Sequence, residues 1–225
     1  MRICLVTLVV LLVGCSKPAE PVAEPAPVPA AAPAKVVKKD DRPVIVAFGD
    51  SLSAGYGLDA GESYPDYLQK ALDEKGYAYR VVNQGVSGDT TSGGVERIPQ
   101  ALAEKPEVVI VELGGNDGLR GLPVSLSKEN LDKMITAFKG AGAKVLLAGI
   151  TLPPNYGPEY IRDFERMYPA LAAKHKVPRI GFLLEGVATV PKLMQQDGIH
   201  PTAEGCKIVA NRNVFPALAP LLRKR

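Results

Sequence analysis

The 225-residue chain has few of the residues that bind metals or form disulfides. Of its three cysteines, Cys4 and Cys15 lie in the first fifteen residues and Cys206 lies near the other end. No disulfide framework or paired-cysteine metal site can be drawn from that distribution. The two histidines, His175 and His200, are far apart in the chain, which argues against a multi-histidine metal site. We therefore expect no metal.

The chain also lacks an excess of charge of one sign. Residues 1–42 hold six of the 27 basic and four of the 24 acidic residues, which leaves 21 basic and 20 acidic residues in 43–225. A nearly neutral body offers no electrostatic attraction for nucleic acid. The overall composition, 46% hydrophobic and 23% charged, is ordinary for a globular protein and excludes disorder throughout.

The apolar run at the start of the chain, about eleven residues from Ile3 to Val13, is too short to cross a bilayer. One basic residue, a short apolar run and small residues before a cleavage point describe a secretory signal. The ending Leu12-Val13-Gly14-Cys15 resembles the lipobox of bacterial lipoproteins. That resemblance implies a signal peptide over 1–14, lipidation of Cys15, and export to the periplasmic side of a bacterial membrane. An incidental cysteine beside an ordinary cleavage site is the alternative, and Ser16 favours the outer membrane within the lipoprotein interpretation.

Residues 15–42 are predicted to be the lipidated cysteine and a flexible tether. Positions 18–34 contain six prolines and seven alanines with no hydrophobic period, a composition that cannot form a core. Proline-rich chain extends by about 3.1 Å per residue, so residues 16–42 could reach roughly 80 Å. We expect the tether to hold a single folded domain, residues 43–225, away from the membrane.

The folded part alternates short β-branched runs with amphipathic stretches, which predicts an α/β domain with a five-stranded parallel sheet. The helical period is clearest in Tyr64, Tyr67, Leu68, Ala71 and Leu72. The predicted strands are Val44–Phe48, Tyr79–Asn83, Val108–Leu113, Val145–Ile150 and Val177–Leu184. Further helices are predicted within 91–104, 126–140, 158–174 and 202–215, the last broken by Pro216 and Pro220.

Three loops that follow predicted strands carry unusual residues. Ser51 follows the first strand at a strand-to-helix turn, Gly88 lies in a glycine-containing loop after the second, and Asn116 stands among glycines after the third. Ligands of open α/β sheets bind outside the carboxyl ends of the strands, so these residues are candidates for one site. Each loop taken singly is better explained by a helix cap or a plain turn.

A fourth segment supplies a candidate base. Asp197 precedes His200 by three residues, so its carboxylate could accept from one ring nitrogen and leave the other facing a nucleophile. His175, between two lysines, is predicted to lie at a solvated helix end with no catalytic role. His200 is therefore the only plausible base.

The four blocks together resemble the SGNH, or GDSL, hydrolase family: Gly49-Asp50-Ser51-Leu52, Gly88, Gly115-Asn116-Asp117, and Asp197 with His200, in that order. The likeness is closest to its bacterial periplasmic thioesterase and lysophospholipase branch. It implies a three-layer α/β/α, flavodoxin-like fold. It also implies that Ser51 is the nucleophile, His200 the base and Asp197 its orienting carboxylate. The oxyanion hole would be the Ser51 and Gly88 amides with the Asn116 side chain.

The resemblance implies a serine hydrolase that cleaves carboxylic esters and thioesters through an acyl-enzyme, as an arylesterase, acyl-CoA thioesterase or lysophospholipase. We expect a monomer without a cofactor that acts on small acyl esters, thioesters or lysophospholipids and reaches the membrane through lipidated Cys15. Leu119, Leu122, Leu152 and Pro153 could line an acyl groove, although surface packing explains them as well. The alternatives are a carbohydrate O-acetyl esterase acting on cell-envelope glycans and a catalytically silent, lipid-anchored scaffold.

The sequence motifs of other enzyme classes are absent. No Gly-x-Ser-x-Gly elbow is present, because position 53 is a serine, and there is no Gly-Lys-Ser/Thr phosphate loop. A dinucleotide site is excluded because Ser51 already occupies the turn where its phosphate loop would lie.

Overall fold

The computed structural model describes residues 40–224. The predicted signal sequence, Cys15 and the tether up to residue 39 lie outside the described residues. At the start of the described part, the Arg42 guanidinium donates to the Tyr79 carbonyl oxygen at 3.2 Å. The described contacts with the domain therefore begin one residue before its predicted start.

The described residues form one five-stranded parallel sheet between two layers of helices, as the sequence predicts. Its spatial order is β2-β1-β3-β4-β5, the doubly wound order of flavodoxin-like folds. The strands are β1 (Val44–Gly49), β2 (Arg80–Gly85), β3 (Val108–Glu112), β4 (Lys144–Ala148) and β5 (Arg179–Ile180). β1 and β3 are buried along their whole length, because they are central strands covered on both faces.

Two groups of helices cover the sheet. α2 packs against α8 and α9, and α6 packs against α3, α4 and α7. Right-handed crossovers leave β1 toward one edge and β3 toward the other, which places the two groups on opposite faces. Within residues 40–224 the helices are α1 (Ser51–Ala54), α2 (Tyr64–Glu74), α3 (Thr91–Glu96), α4 (Ile98–Ala103), α5 (Gly115–Leu119), α6 (Val124–Gly140), α7 (Pro158–His175), α8 (Ala203–Ile208) and α9 (Phe215–Leu218).

Helix α2 shows how the local sequence sets an element. Ser63 caps it, with its hydroxyl accepting from the Asp66 amide while the Asp66 carboxylate accepts from the Ser63 amide. Of its apolar positions, Leu68 and Leu72 are fully buried, Tyr64 and Ala71 nearly so, and Tyr67 is partly buried. The periodicity of the sequence therefore matches the observed buried face.

Strand β5 is much shorter than predicted. It pairs with β4 only at Arg179 and Ile180. From Gly181 the chain leaves the sheet edge and turns, with the Glu185 amide donating to the Phe182 carbonyl oxygen. The apolar residues that follow Gly181 pack as a turn instead of a strand, a distinction that a short apolar run does not reveal.

The last helical region is also not broken at Pro216. A π-helical turn over Val209–Val214 joins α8 to α9, and Pro216 lies in the first turn of α9. Proline lacks an N–H and crowds the carbonyl four residues earlier. The wider π turn directly before it accommodates both effects, and the chain continues helically to Leu221.

His175 ends α7 but is not a solvated residue. Its Nε2 lies 2.6 Å from Asp132 Oδ1, and its side chain is only 12% exposed. It links α7 to α6 and does not line the cavity described below. Within residues 40–224, no helix has the length and apolar character needed to cross a membrane.

Candidate active site

Ser51 is the first residue of α1, directly after the carboxyl end of β1. The turn is held by Asp50, whose Oδ1 accepts from the Leu52 amide at 3.0 Å. Because the first N–H groups of a helix have no intrahelical partner, the Ser51 amide is free to donate to a ligand. The hydroxyl and the amide of Ser51 therefore belong to one tight turn that opens into a cavity.

The structure brings Ser51, His200 and Asp197 into one hydrogen-bonded chain. His200 Nε2 lies 2.8 Å from Ser51 Oγ, and His200 Nδ1 lies 2.6 Å from Asp197 Oδ2. The loop that carries both residues is closed by the Gln195 amide, which donates to the His200 carbonyl oxygen at 2.8 Å. This arrangement can move a proton from the serine hydroxyl to the imidazole while the carboxylate fixes the tautomer.

Asp197 is held in its ionised form. Partial burial alone would raise the pKa of Asp197, but hydrogen bonds from the His200 amide, the His200 ring and the Ile199 amide outweigh it and keep the pKa below its usual value. Those two amides donate to Asp197 Oδ1 at 3.0 and 2.9 Å. Asp197 Oδ2 therefore remains available to accept a hydrogen bond from the His200 imidazole.

The three residues assigned to an oxyanion hole by resemblance all line the same cavity as Ser51 and His200. Gly88 has a φ of +81°, which favours glycine at the turn that exposes its amide. Asn116 Nδ2 donates to the Asp89 carbonyl oxygen at 2.9 Å and to Asp50 Oδ2 at 3.1 Å. Both acceptors fix the direction of the Asn116 amide group, which lines the same cavity as Ser51.

A buried pair of carboxyl groups, which the sequence reasoning did not single out, lies below the nucleophile. Glu112 ends β3, and its Oε2 accepts from Ser53 Oγ at 2.7 Å and from the Asp50 amide at 3.3 Å. Burial and the neighbouring Asp50 carboxylate raise the pKa of Glu112 well above its usual value. Burial likewise raises the pKa of Asp50, against the hydrogen bond from the Leu52 amide.

Ser53, the only other serine hydroxyl in this turn, is fully buried between Glu112 and Tyr64. It cannot reach a substrate in the cavity. Ser51 is therefore the serine of this turn that is placed for catalysis.

The cavity beside Ser51 has a volume of about 610 Å³ and a mostly apolar lining. Of the four residues proposed from the sequence to form an acyl groove, Leu119, Leu152 and Pro153 line it, and Leu122 does not. Leu122 instead offers its carbonyl oxygen to the Tyr160 hydroxyl. Within residues 40–224, no cluster of three or more His, Cys, Asp or Glu side chains is arranged to hold a metal.

Sequence reasoning missed a second wall of the cavity, which comes from the chain after β5: Phe182, Leu184, Ala188, Thr189 and Met194. It also missed Tyr56, whose half-exposed ring lies 4.6 Å from the His200 ring, centroid to centroid. These residues could have been found from their position, because ligands of such sheets bind beyond the carboxyl ends of the strands. The sequence analysis instead predicts that Phe182 and Leu184 belong to the strand itself.

Comparison with known proteins agrees with this geometry. Residues 47–208 match the GDSL-like lipase/acylhydrolase family. The chain belongs to that family. It is therefore an acyl ester hydrolase of the SGNH type, with Ser51, Gly88, Asn116 and His200 standing at the four family blocks.

Individual relatives cover most of the chain. It is 51% identical over 179 residues to "Esterase TesA" of Pseudomonas aeruginosa, a match that covers 79% of this chain and 89% of the relative. It is 40% identical over 168 residues to "Thioesterase 1/protease 1/lysophospholipase L1" of Escherichia coli, covering 74% of this chain and 79% of the relative. A crystal structure of TesA superposes with a TM-score of 0.77 at 50% identity, covering 80% of this chain and 99% of that one.

Proposed function

We propose that this hydrolase cleaves carboxylic esters and thioesters with medium or long acyl chains, lysophospholipids among them, through an acyl-enzyme on Ser51. The observation that carries the proposal is the hydrogen-bonded chain from Ser51 Oγ through His200 to Asp197, at 2.8 and 2.6 Å, at the side of an apolar cavity. The names of the relatives, esterase and thioesterase 1/lysophospholipase L1, support both ester and thioester substrates.

In the first half-reaction, Ser51 Oγ attacks the carbonyl carbon while its proton passes to His200 Nε2. The imidazolium is stabilised by Asp197, whose lowered pKa keeps it charged near neutral pH. The tetrahedral intermediate collapses when His200 gives the proton to the leaving alkoxide or thiolate. The alcohol or thiol departs, and the acyl group stays on Ser51 as an ester.

In the second half-reaction, water attacks the acyl-enzyme while His200 accepts its proton. The second tetrahedral intermediate expels Ser51, which takes that proton back, and the carboxylic acid leaves. No electron transfer or cofactor enters either step.

Negative charge on the carbonyl oxygen is received by the Ser51 amide, the Gly88 amide and Asn116 Nδ2. In this role the oxyanion takes the place of Asp50 Oδ2 on Asn116 Nδ2, while the bond to the Asp89 carbonyl oxygen keeps the amide group in position. A donor aimed in advance in this way is a common source of rate enhancement, and each one contributes about 3 kcal/mol to the transition state.

The acyl chain occupies the apolar cavity. One wall of the cavity includes Leu119 and Leu152, and the second wall includes Phe182 and Met194. Two such walls bury methylene groups that an acetyl substrate does not possess, and each buried methylene contributes about 0.8 kcal/mol. The cavity therefore favours this function over a carbohydrate O-acetyl esterase, whose acyl group would leave most of it empty.

The test combines covalent labelling with oxyanion mutagenesis. A fluorophosphonate probe should label the wild-type protein on Ser51 and leave Ser51→Ala unlabelled. Asn116→Ala should remain folded and lose about 10²- to 10³-fold in kcat. Absence of labelling of the folded wild type would instead support a silent scaffold, and normal turnover by Asn116→Ala would remove Asn116 from the mechanism.

The proposed location is the periplasmic side of a bacterial membrane, the outer membrane on the lipoprotein interpretation, with Cys15 as the lipid anchor. The support is the sequence Leu12-Val13-Gly14-Cys15 and the proline-rich chain after it. Metabolic labelling with a palmitate analogue should mark the wild type and not Cys15→Ser, which should also leave the membrane fraction. Equal membrane association of both proteins would contradict the anchor.

A further inference from the structure

Arg97 makes four side-chain hydrogen bonds beside the turns that carry Ser51 and Gly88. It lies between α3 and α4, and its Nε and Nη2 both donate to Asp89 Oδ2, at 2.8 and 2.6 Å. The Asp89 and Arg97 side chains are only 12% and 17% exposed. The guanidinium also lies over the Phe48 ring, 4.5 Å from its centroid. We refer to this ion pair as the Arg97–Asp89 clasp.

The other bonds of the clasp reach the loops that carry the oxyanion donors. Arg97 Nη2 donates to the Gly49 carbonyl oxygen at 3.2 Å, two residues before Ser51, and Nη1 donates to the Gln84 carbonyl oxygen at 3.0 Å. Asp89 directly follows Gly88, and its carbonyl oxygen holds Asn116 Nδ2 at 2.9 Å. One guanidinium is therefore bonded to the carboxyl ends of β1 and β2, which lead into the Ser51 and Gly88 turns, and through Asp89 to Asn116.

We propose that the Arg97–Asp89 clasp positions the oxyanion hole, by holding the segments of Ser51, Gly88 and Asn116 in register. Neither member lines the cavity, so both are positioning residues and not catalytic ones. Oxyanion donors must lie within about 2.7–3.1 Å of the developing charge, and a displacement of 1 Å costs about 10²-fold in rate. Lysine cannot replace the arginine, because a single ammonium group lacks the planar fork that serves Asp89 and two carbonyl oxygens together.

The chain offers a matched control for an arginine-to-lysine change. Arg80 begins β2, at the opposite end of the strand from Gln84, and its Nη2 lies 3.2 Å from Glu104 Oε2. Arg97→Lys should lower kcat about 10- to 100-fold with KM nearly unchanged, because the loss falls on the transition state. Arg80→Lys should keep the wild-type kcat. Equal kcat in Arg97→Lys and wild type would overturn the proposal, as would a loss confined to KM.

A double-mutant cycle separates positioning from a general loss of structure. If the clasp acts through the oxyanion hole, Arg97→Lys should cost much less kcat in the Asn116→Ala background than in the wild type. Fully multiplicative losses would show that Arg97 does not act through Asn116 and would overturn the proposal that the clasp positions all three donors. Thermal unfolding establishes that each variant is folded, and Asp89→Asn, which removes the charge at constant shape, replaces Arg97→Lys in the cycle if that variant does not fold.

This inference rests on the proposed function, and the cycle distinguishes the two failures. A fully active Asn116→Ala would mean that the oxyanion assignment itself is wrong. An impaired Asn116→Ala beside an unimpaired Arg97→Lys would leave the proposed function standing and reject only the clasp.

Discussion

Gly93→Ala should destabilise the protein, although alanine normally stabilises a helix. Gly93 lies inside α3, where helix propensity alone favours alanine over glycine by about 1 kcal/mol. A Cβ at this position would, however, lie 1.9 Å from Asp89 Oδ1. The carboxylate cannot move away without leaving Arg97, so the added methyl group must break the Arg97–Asp89 clasp.

The size of the effect follows from the burial of that ion pair. Exposed ion pairs contribute about 0.2–1 kcal/mol, and breaking a buried one costs about 3–5 kcal/mol. With side chains 12% and 17% exposed, the clasp lies between these limits, at about 2–3 kcal/mol. Subtracting the gain in propensity leaves a net loss of about 1–2 kcal/mol in the free energy of unfolding.

Guanidinium chloride unfolding followed by circular dichroism measures this loss. Gly140→Ala is the matched control, because Gly140 also lies in a helix and a Cβ there would meet no heavy atom within 4 Å. We expect Gly140→Ala to be neutral or slightly stabilising and Gly93→Ala to be destabilising with a lower kcat. Stabilisation by Gly93→Ala with an unchanged kcat would show that the added methyl group does not disturb the Arg97–Asp89 clasp.

Three further outcomes follow from buried groups and from the cavity. Cys206 is buried and its pKa is raised to about 12 by burial, so a thiol reagent should modify it only after unfolding; rapid labelling of native protein containing Cys206 as its one cysteine would contradict this. Because the folded-state pKa of Glu112 is raised, the stability it contributes is complete below its unfolded pKa and is lost as pH rises through the folded value. Glu112→Gln should therefore gain stability relative to wild type as pH rises, and chemical unfolding from pH 5 to pH 9 should show the widening difference; a pH-independent difference would argue against a titrating Glu112. Leu152→Ala removes three carbons from the cavity lining, so kcat/KM on decanoyl esters should fall several-fold more than on acetyl esters; equal losses would place the acyl chain elsewhere.

The sheet could be predicted because its central strands are buried on both faces and are therefore almost continuously apolar. Val108–Glu112 and Val44–Gly49 differ from their predictions by one residue each. The two-residue β5 could not be predicted, because Leu183 and Leu184 are buried by tertiary packing instead of strand pairing. The short helix α5 differs from the turn that the three glycines in Leu113–Gly118 predict.

The contacts between distant segments of the site could not be predicted from the sequence. The motif blocks indicate which loops meet, because parallel strands bring their carboxyl ends to one edge. They do not indicate that Glu112 lies under Asp50, that Tyr56 covers the His200 ring, or that Arg97 bonds the ends of two separate strands. Each of these contacts joins segments that no local pattern relates. Leu122 shows the same limit in reverse, because its place in the loop after α5 did not reveal that it does not line the cavity.

We expect this protein to hydrolyse acyl esters through Ser51 while the apolar cavity holds the acyl chain. The most direct measurement is kcat/KM of the purified protein across p-nitrophenyl esters from two to sixteen carbons, with Ser51→Ala as the control. We predict that kcat/KM rises by about fourfold for each early methylene, as expected for about 0.8 kcal/mol of burial, and reaches a plateau when the cavity is full. Ser51→Ala should show no enzymatic turnover. Activity confined to the acetyl ester, or activity that survives Ser51→Ala, would contradict the account.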